Sequence, residues 1–535
     1  MLFVSPPRAV SARSGFCMAG VPSRAARYAA LSLVSIATLI FSIPPNADAG
    51  GLLSIFGSSV AKGYGSSGET NTPQMFVNGS FSNSYGAYLT WLMSSNGWVV
   101  TNQSIPGDTT LKLIARYYRD EVPVHANEDF IGLSLGNEGL PGATNPQAIY
   151  DQFFTGITNL IAMSRSNGLI PLVGGQYPRN AYTSNEYYLL KQMDLQLNTL
   201  DVPIVNFLGA TDNGQGHWGN LAANDIWHPN DLGFYEMFLS IVPSVFDALK
   251  AGKPTPHWSG NQHSLKILGD PAQPAPLSFT PATLVHSFSV FFRVRSPGTG
   301  TIASITLPAS TNSVTHPTLE ITSTGLVYNT SSGISTNLNA SVTTWREVVL
   351  THQYNRGLTW VYIDGALAGT ASERLAPVGF VLGGPGNAVS RPPSPAQADY
   401  QNWFVWRSML NAEEVQAQHQ GAFQQASLEV YAPLDDQLFA VGGRAANRAQ
   451  STSVVAVNSS TLFSEPLPSV KASPAGFKLL FPGNSGATYQ IQRSDQPSFD
   501  TYVVLAVLPA AADGSVYFID TSPPATSAFY RCWQQ

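Results

Sequence analysis

The chain has 535 residues, which is too long for one hydrophobic core, so its length predicts roughly two to four domains. Charged residues make up only 11% of it, the formal net charge is −6, and lysine and arginine form no run. This balance argues against a protein that binds nucleic acid or another polyanion through a basic surface. Low charge with plentiful Ser, Thr, Gly and Pro favours exported, β-rich modules.

The amino-terminal residues have the pattern of an export signal. Arg24 and Arg27 precede an apolar stretch from Tyr28 to Ile43, and Ala47-Asp48-Ala49 matches a small-x-small cleavage site. We therefore predict that residues 1–49 are a signal peptide. The mature chain is then secreted, periplasmic or at the cell surface, without stable membrane insertion. A retained membrane anchor is the alternative, which the shortness of the apolar stretch disfavours.

The sequence leaves open whether Met1 or Met18 starts the chain. Cleavage of the predicted signal removes Cys17 and leaves Cys532 as the one cysteine of the mature protein. A chain with a single thiol forms no internal disulfide, so its stability must come from core burial.

Residues 50–252 alternate short apolar runs with helical patterns. The strand candidates are Leu52–Phe56, Trp98–Thr101, Phe130–Leu135, Leu169–Val173 and Pro203–Leu208. Helix candidates lie at about 81–95, 109–121, 146–166, 185–199 and 231–250. This alternation predicts a five-stranded parallel sheet with helices on both faces. Ligand-binding and catalytic sites in such sheets form at the carboxyl ends of the strands.

The rest of the chain has a different pattern. Residues 253–279 are rich in Pro and Gly and are predicted to be a linker, and residues 280–436 contain mostly short strands that predict a β-sandwich. Residues 437–468 are predicted to be a second linker, and residues 469–535 a small β-sandwich.

Two short motifs follow the first two predicted strands. Ser59 lies in Gly57-Ser58-Ser59-Val60, and a serine on a strand-to-helix turn can act as a nucleophile if a base is within reach. Gly107 lies in Ser104-Ile105-Pro106-Gly107-Asp108-Thr109, where a backbone amide can face an oxyanion. The structural alternatives are a plain Ser-Gly turn for the first motif and a helix cap by Asp108 or Thr109 for the second.

Two further motifs follow the third strand and precede the last helix. Asn137 lies in Gly136-Asn137-Glu138-Gly139, and its amide can donate to an oxyanion, although Asn in a glycine turn often serves backbone geometry alone. Asp225 and His228 are three residues apart in Asp225-Ile226-Trp227-His228. That spacing lets the carboxylate orient the imidazole towards a serine.

Together the four motifs resemble those of the SGNH hydrolase superfamily, the GDSL-type esterases and lipases. The matching residues, in chain order, are Gly57-Ser58-Ser59-Val60, Gly107, Asn137, Asp225 and His228. The chain departs from the family pattern in two places: Ser58 stands where Asp is frequent, and Leu135-Gly136-Asn137-Glu138 stands where the family usually has Gly-x-Asn-Asp.

The resemblance implies a three-layer, flavodoxin-like α/β catalytic domain and a serine-esterase mechanism. Ser59 is then the nucleophile, His228 the general base and Asp225 the residue that orients it. The amides of Ser59 and Gly107 and the side chain of Asn137 form the oxyanion hole. The catalytic region has no His-x-x-x-His, Cys pair or acidic calcium loop of standard spacing, so we expect no metal and no cofactor there. His217, in a Gly-rich loop nearby, is expected to be a surface residue or to line the pocket.

The middle domain resembles the LamG-like, concanavalin A-like jelly rolls in Trp345–His352, in Trp360–Gly365 and in Asn402–Trp406. Such domains bind glycans and sometimes calcium, but others only position a neighbouring domain. The last domain resembles fibronectin type III and immunoglobulin-like sandwiches.

These patterns predict a secreted esterase that removes acetyl or other acyl groups from carbohydrate, with acylated polysaccharide as its substrate and a glycan as a possible second ligand. A lipid or aryl esterase of the same fold, or a non-catalytic glycan-binding or adhesion protein, are the alternatives. The sequence does not fix the acyl chain, the alcohol or the oligomeric state.

Overall fold

The computed structural model describes residues 2–4, 50–124, 130–134, 138–219, 222–258, 264–272, 274–308, 316–386, 394–434, 444–457, 461–463, 469–473, 475–482, 487–510, 515–524 and 528–534. The predicted signal peptide lies outside these residues, apart from a strand at Leu2–Val4. Among the described residues no helix is long and apolar enough to cross a membrane.

A five-stranded parallel sheet forms the centre of the α/β domain. Its strands are β1 (Leu52–Gly57), β2 (Val99–Asn102), β3 (Phe130–Ser134), β4 (Ile170–Gly174) and β5 (Ile204–Val205). They lie in the order β2-β1-β3-β4-β5, and every pairing is parallel. The parallel sheet predicted from the alternating pattern is confirmed, and its strand order is that of doubly wound sheets of the flavodoxin type.

Helices cover both faces of this sheet. The longer ones are α1 (Tyr85–Ser94), α2 (Thr110–Arg116), α3 (Pro146–Ser166), α4 (Ser184–Leu197), α5 (Asp231–Leu239) and α6 (Val245–Lys250). Short helices lie at Ser59–Lys62, Ser67–Thr70 and Phe207–Thr211, a π-helical turn at Tyr117–Glu121, and a hairpin at Phe76–Val77 and Ser80–Phe81. Two separate hydrophobic cores result, one under α1, α5 and α6 and one under α2, α3 and α4, which makes three layers.

Two elements differ from the sequence-based expectation. The helix expected at 231–250 is two helices, because Pro243 between them cannot donate a helical hydrogen bond. The strand expected at Pro203–Leu208 stops at Val205, because the Asn206 side chain accepts a hydrogen bond from Gly209 N at 2.7 Å and starts a short helix.

Two antiparallel sheets form the β-sandwich and enclose its large core. The strands of one sheet, in spatial order, are Ser335–Asn337, Gly325–Asn329, Thr318–Thr322, Gly300–Thr306, Gly379–Leu382, Leu277–Phe279, Val455–Val457 and Arg444–Ala445. Those of the other are Ala366–Ser372, Leu358–Ile363, Arg346–Gln353, Phe288–Arg295, Ala398–Trp406, Leu265–Ile267 and Thr461–Phe463, with Leu428–Ala432 also paired to Ala398–Trp406. One helix, α7 (Ala412–His419), lies outside the sheets.

Both predicted linkers contribute strands to this sandwich. Leu265–Ile267 and Leu277–Phe279 belong to the segment 253–279, and Val455–Val457 and Thr461–Phe463 to the segment 437–468. Calling these segments linkers throughout was therefore wrong. Strands of three residues between Pro, Gly and Ser are too short to show a period-two pattern, and tertiary pairing holds them.

The carboxyl-terminal residues form two further small antiparallel sheets. One contains Ser469–Ser473, Gly476–Pro482 and Ser515–Asp520. The other contains Thr488–Ser494, Val503–Pro509 and Ala528–Gln534, and Leu2–Val4 pairs with its last strand. Cys532 is a free, half-buried thiol, and burial raises the pKa of this thiol to about 11.

Hydrogen bonds join the α/β domain to the sandwich along a surface that we call the seam. Ser427 of the sandwich donates its backbone N–H to Ile204 O at 2.8 Å, and its hydroxyl accepts from Asn206 N at 2.8 Å. The Asn206 amide in turn donates to Glu414 at 3.0 Å. The sandwich therefore satisfies the open edge of β5, which would otherwise be exposed.

A buried ion pair lies further along the seam. Arg407 and Glu429 are 3.3 Å apart, and their side chains are 1% and 2% exposed. Arg407 also donates to Leu239 O, at the end of α5, at 3.0 Å. The guanidinium makes three more hydrogen bonds, to Leu284 O, to Thr283 O and to the Thr283 hydroxyl, so its donors are well satisfied.

Candidate active site

The serine of the first motif lies where the strand order of the sheet reverses. β1 ends at Gly57, and Ser59 is the first residue of the short helix Ser59–Lys62. β2 lies on one side of β1 and β3 on the other, so the loops that leave their carboxyl ends diverge here. Ligands of open α/β sheets bind at such a reversal point.

Ser59, His228 and Asp225 form one hydrogen-bonded chain. The distance from Ser59 Oγ to His228 Nε2 is 3.1 Å, and that from His228 Nδ1 to Asp225 Oδ2 is 3.0 Å. A carboxylate only accepts hydrogen bonds, so the proton of the neutral ring lies on Nδ1. Nε2 is then the acceptor for the Ser59 hydroxyl, which is the arrangement that nucleophilic catalysis requires.

The Asp225 carboxylate is held by its own loop. Its Oδ1 accepts from the backbone N–H of Trp227 at 2.6 Å and of His228 at 2.7 Å. Burial by itself would raise the pKa of Asp225, but the hydrogen bonds from the His228 ring and from these two amides outweigh it and hold the pKa below its usual range. The carboxylate is therefore ionised at neutral pH and can stabilise an imidazolium.

The loop that carries His228 docks closely against the loop after Ser59. Gly65 has a φ of 98°, and a Cβ at this position would lie 2.3 Å from Pro229 O and 2.7 Å from His228 Cβ. Only glycine fits both the backbone angle and the close approach. The two motifs are far apart in sequence, and this contact fixes the distance between their side chains.

A second contact supports the same docking. Ser67 donates both its backbone N–H and its hydroxyl to the carboxylate of Asp231, each at 2.7 Å. Asp231 is the first residue of α5, and Asn230 caps that helix by accepting from Gly233 N at 3.0 Å. The residues after His228 therefore serve as a helix cap and as a clamp, in addition to any chemical role of the motif.

The Gly107 loop lies beside the same strand end. Ile105 N donates to Gly57 O at 3.1 Å, which continues the β1–β2 pairing up to the serine turn. Gly107 has a φ of 76°, and a Cβ there would meet nothing within 4 Å. Glycine is thus required by the left-handed backbone and not by crowding within the protein.

The expected helix cap in this loop is also present. Thr109 caps α2 by accepting from Lys112 N, whereas Asp108 pairs with Arg116 at 2.6 Å. Thr109 is therefore a helix cap, as the alternative interpretation of this motif expected. This cap does not involve the Gly107 amide.

Asn137 lies outside the described residues, but its two flanks are described. Ser134, the last residue of β3, pairs with Gly57 at the end of β1, so the motif begins beside the serine turn. Glu138, which has a φ of 52°, accepts from Thr110 N at 2.7 Å and from Gln152 at 3.1 Å. The glutamate that departs from the family pattern therefore caps α2.

Two neighbours of the site were missed in the sequence analysis. Tyr177 is fully buried, and its hydroxyl lies 3.3 Å from Ser58 Oγ. Arg179 lies over the ring of Tyr177, with its guanidinium carbon 5.7 Å from the ring centroid. Both follow Gly174, the last residue of β4. The sequence could have indicated both residues, because they follow a predicted parallel strand and the loops after such strands line the site.

Apolar side chains lie exposed beside His228. Ile226 is 51% and Trp227 38% exposed. The Tyr64 ring lies on another side of the imidazole, 6.1 Å between centroids. The site therefore opens to solvent between aromatic groups.

His217 does not join the Ser59–His228–Asp225 chain in the structure. Its Nε2 lies 3.0 Å from Tyr182 O and so donates to it, which fixes the ring in a half-buried position. Within the described part of the chain, no group of three or more His, Cys, Asp or Glu residues is arranged to hold a metal ion.

The sandwich carries a polar groove of its own. It encloses about 540 Å³ and is lined by Ser296–Thr299, Ile321–Gly325 and Asn339–Thr343. Several hydroxyl groups and the Asn339 amide lie in this lining, and such groups can hydrogen-bond a polar ligand.

Comparison with known proteins gives distant likenesses only. No family model and no curated protein matches the chain. Among solved structures it is similar to a candidate carbohydrate-binding protein from Bacteroides ovatus, with 14% identity over 38% of this chain and 61% of that chain and a TM-score of 0.30. It is also similar to a catalytic mutant of an acetylxylan esterase from Geobacillus stearothermophilus, with 17% identity over 35% of this chain and 90% of that chain and a TM-score of 0.27.

A third solved structure, a heptameric pentraxin from Limulus polyphemus, is 14% identical over 39% of this chain and 97% of that chain, with a TM-score of 0.28. Likenesses at this level assign no activity. The conclusions about the site rest on its own geometry.

Proposed function

We propose that the protein is an exported serine esterase that hydrolyses carboxylic esters of carbohydrate. The observation that carries this proposal is the chain of two hydrogen bonds, 3.1 and 3.0 Å long, from Ser59 through His228 to Asp225. A hydroxyl, an imidazole and a carboxylate in this order are the parts that acyl transfer to serine needs.

The mechanism follows from the roles of these groups. The Ser59 oxygen attacks the ester carbonyl while His228 Nε2 takes its proton, and Asp225 stabilises the imidazolium. His228 then returns the proton to the leaving alcohol, and an acyl-Ser59 intermediate remains. Water, deprotonated by His228, attacks this intermediate and releases the acid and the free serine.

The oxyanion of each tetrahedral intermediate needs hydrogen-bond donors. We assign this role to the backbone amides of Ser59 and Gly107 and to the side chain of Asn137. The supporting observations are the position of Ser59 at the start of a helix and the pairing of Ile105 and Ser134 with Gly57. Loss of one such donor lowers kcat on the order of a hundredfold.

Carbohydrate is the proposed alcohol partner for two reasons. The site is open, with Trp227 and Ile226 exposed at its rim, and aromatic rings suit the apolar faces of sugars. The sandwich carries a groove whose hydroxyl groups can hydrogen-bond a glycan. The predicted signal peptide, residues 1–49, is consistent with a substrate outside the cell.

The test is a serine substitution. Ser59→Ala should lower kcat/KM for p-nitrophenyl acetate about ten-thousandfold while the far-ultraviolet circular dichroism stays unchanged. The matched control is Ser94→Ala, an exposed serine on α1, which should retain activity within about twofold. Substantial activity in Ser59→Ala would refute the proposal.

The two alternatives predict different results in the same assay. A lipid esterase would prefer p-nitrophenyl palmitate to acetate, whereas the open site predicts the reverse. A non-catalytic glycan-binding protein would hydrolyse neither ester and would bind acetylated polysaccharide equally well with or without Ser59.

A further inference from the structure

An arginine lies between two aromatic rings at the rim of the proposed active site. The guanidinium carbon of Arg179 is 5.4 Å from the centroid of the Trp227 ring and 5.7 Å from that of the Tyr177 ring. These distances are within the range of cation–π contacts. These ring contacts involve the charge of the guanidinium and leave the N–H donors of its two terminal nitrogens to bind another group.

Each of these rings is linked to one of the proposed catalytic residues. The Tyr177 hydroxyl lies 3.3 Å from Ser58 Oγ, and Ser58 directly precedes Ser59. Trp227 directly precedes His228, and its backbone N–H is bonded to Asp225. Arg179 thus contacts one ring that adjoins the serine turn and another that belongs to the histidine loop.

The backbone around Arg179 is fixed before any substrate binds. Arg179 N donates to Gly216 O at 2.9 Å, and Asn180 N donates to Ile226 O at 3.0 Å. The second bond ties this segment to the loop that carries His228. The backbone of Arg179 is consequently held at a set place relative to the His228 loop.

Arg179 has no charge partner among the described residues, although the other arginines described in the α/β domain do. Arg116 pairs with Asp108, and Arg165 with Asp201. The Nε of Arg179 is buried without a hydrogen-bond partner, and no carboxylate in the described part of the chain forms an ion pair with the guanidinium. A half-buried cation left unpaired at a binding site is suited to an anion brought by the ligand.

The geometry points to a substrate carboxylate as the missing partner: Arg179 binds a carboxylate next to the scissile ester, so the substrate is an acylated glycan that contains uronic acid. This inference rests on the proposed function and names its substrate class. A planar carboxylate matches the planar edge of a guanidinium. One arginine binds one carboxylate, so the site needs no basic surface of the kind that the sequence lacks.

The experiment compares an acidic and a neutral substrate of equal length. Acetate release is measured from an O-acetylated oligogalacturonide and from an O-acetylated galacto-oligosaccharide, with p-nitrophenyl acetate as a third substrate. The wild-type protein should prefer the acidic oligosaccharide by about tenfold in kcat/KM, mainly through a lower KM. Raising the salt concentration should reduce this preference.

Substitution of the arginine should remove the preference without removing the activity. Arg179→Gln should raise KM for the oligogalacturonide about tenfold and change hydrolysis of p-nitrophenyl acetate by less than about twofold. Arg179→Lys should restore part of the preference, since a lysine keeps the charge but lacks the planar edge. Arg165→Gln, at the far end of α3, is the matched control and should leave all three substrates unchanged.

The outcomes separate this inference from the proposed function. Equal kcat/KM for the two oligosaccharides in the wild type, or an equal loss on both in Arg179→Gln, would overturn the role of Arg179 and leave the esterase intact. Absence of Ser59-dependent hydrolysis of every ester, p-nitrophenyl acetate included, would overturn both.

Discussion

The seam and the rim of the proposed active site are both rich in polar side chains, but they differ in how completely those groups are paired. At the seam, Asn206 bonds to Glu414, and Arg407 bonds to Glu429 and to Leu239 O. At the rim, Ser59 ends a chain of hydrogen bonds, and Arg179 forms no ion pair with a described carboxylate. Polar groups that pair with each other hold the two domains together, whereas polar groups without a protein partner can bind a ligand.

Burial explains why the two regions can differ in this way. An unpaired polar group in the interior costs about 1–3 kcal/mol in desolvation, so pairing favours the seam. A few seam atoms, among them Gln353 Oε1 and Gln425 Oε1, are nevertheless buried without a partner. The rim is in contact with solvent, so water can bond the terminal nitrogens of Arg179 at little cost until a substrate replaces it, although Arg179 Nε itself is buried.

The largest effect is expected from breaking the chain of hydrogen bonds at the rim. His228→Ala removes the proton acceptor, so kcat for p-nitrophenyl acetate should fall about ten-thousandfold with little change in melting temperature. His217→Ala is the matched control, since that ring bonds to Tyr182 O instead of Ser59. Equal losses in both variants would mean that His228 has no special role.

At the seam, removing one member of the buried ion pair should affect stability and not chemistry. Glu429→Ala leaves the charge of Arg407 buried, so the free energy of unfolding should fall by about 3 kcal/mol in urea denaturation. Asp201→Ala breaks an exposed pair with Arg165, 3.8 Å apart, and should cost less than about 1 kcal/mol. Similar costs for both would contradict the account of the seam.

A smaller effect at the seam should depend on pH. Burial raises the pKa of Glu414 to about 7, against bonds from Asn411 and Asn206 and the nearby Lys191, which lower it. The folded state then binds a proton that the unfolded state releases near its usual pKa, so this group's contribution to stability falls as the pH rises from about 4.5 to 7. Glu414→Gln should flatten the fall of melting temperature over that window. An unchanged slope would show that Glu414 titrates normally.

The smallest effect is expected when either of two glycines with a positive φ is replaced by alanine. Gly107→Ala and Gly252→Ala place a Cβ where φ is 76° and 73° and where nothing lies within 4 Å, so each should cost about 1 kcal/mol of stability. Only Gly107→Ala should also lower kcat, by about tenfold, because strain there shifts the amide assigned to the oxyanion hole. A loss of kcat in Gly252→Ala would remove this distinction.

The sheet and the convergence of Ser59, Asp225 and His228 could be predicted because they depend on local patterns. Apolar runs that alternate with helical segments specify a parallel sheet, and its strand ends specify where motifs meet. The short strand Leu265–Ile267 could not be predicted, since its partners come from distant parts of the chain. Arg179 could not be predicted as a binding residue, because the reason to propose it is that no described carboxylate pairs with it, and a sequence motif does not show this.

The measurement that most directly tests the central claim is covalent labelling by a fluorophosphonate, mapped by mass spectrometry of the digested protein. An activated serine forms a phosphonate adduct, so we predict a single adduct on the peptide that contains Ser59, absent in His228→Ala and present in His217→Ala. A folded protein that gives no adduct at Ser59, or the same adduct without His228, would contradict the account.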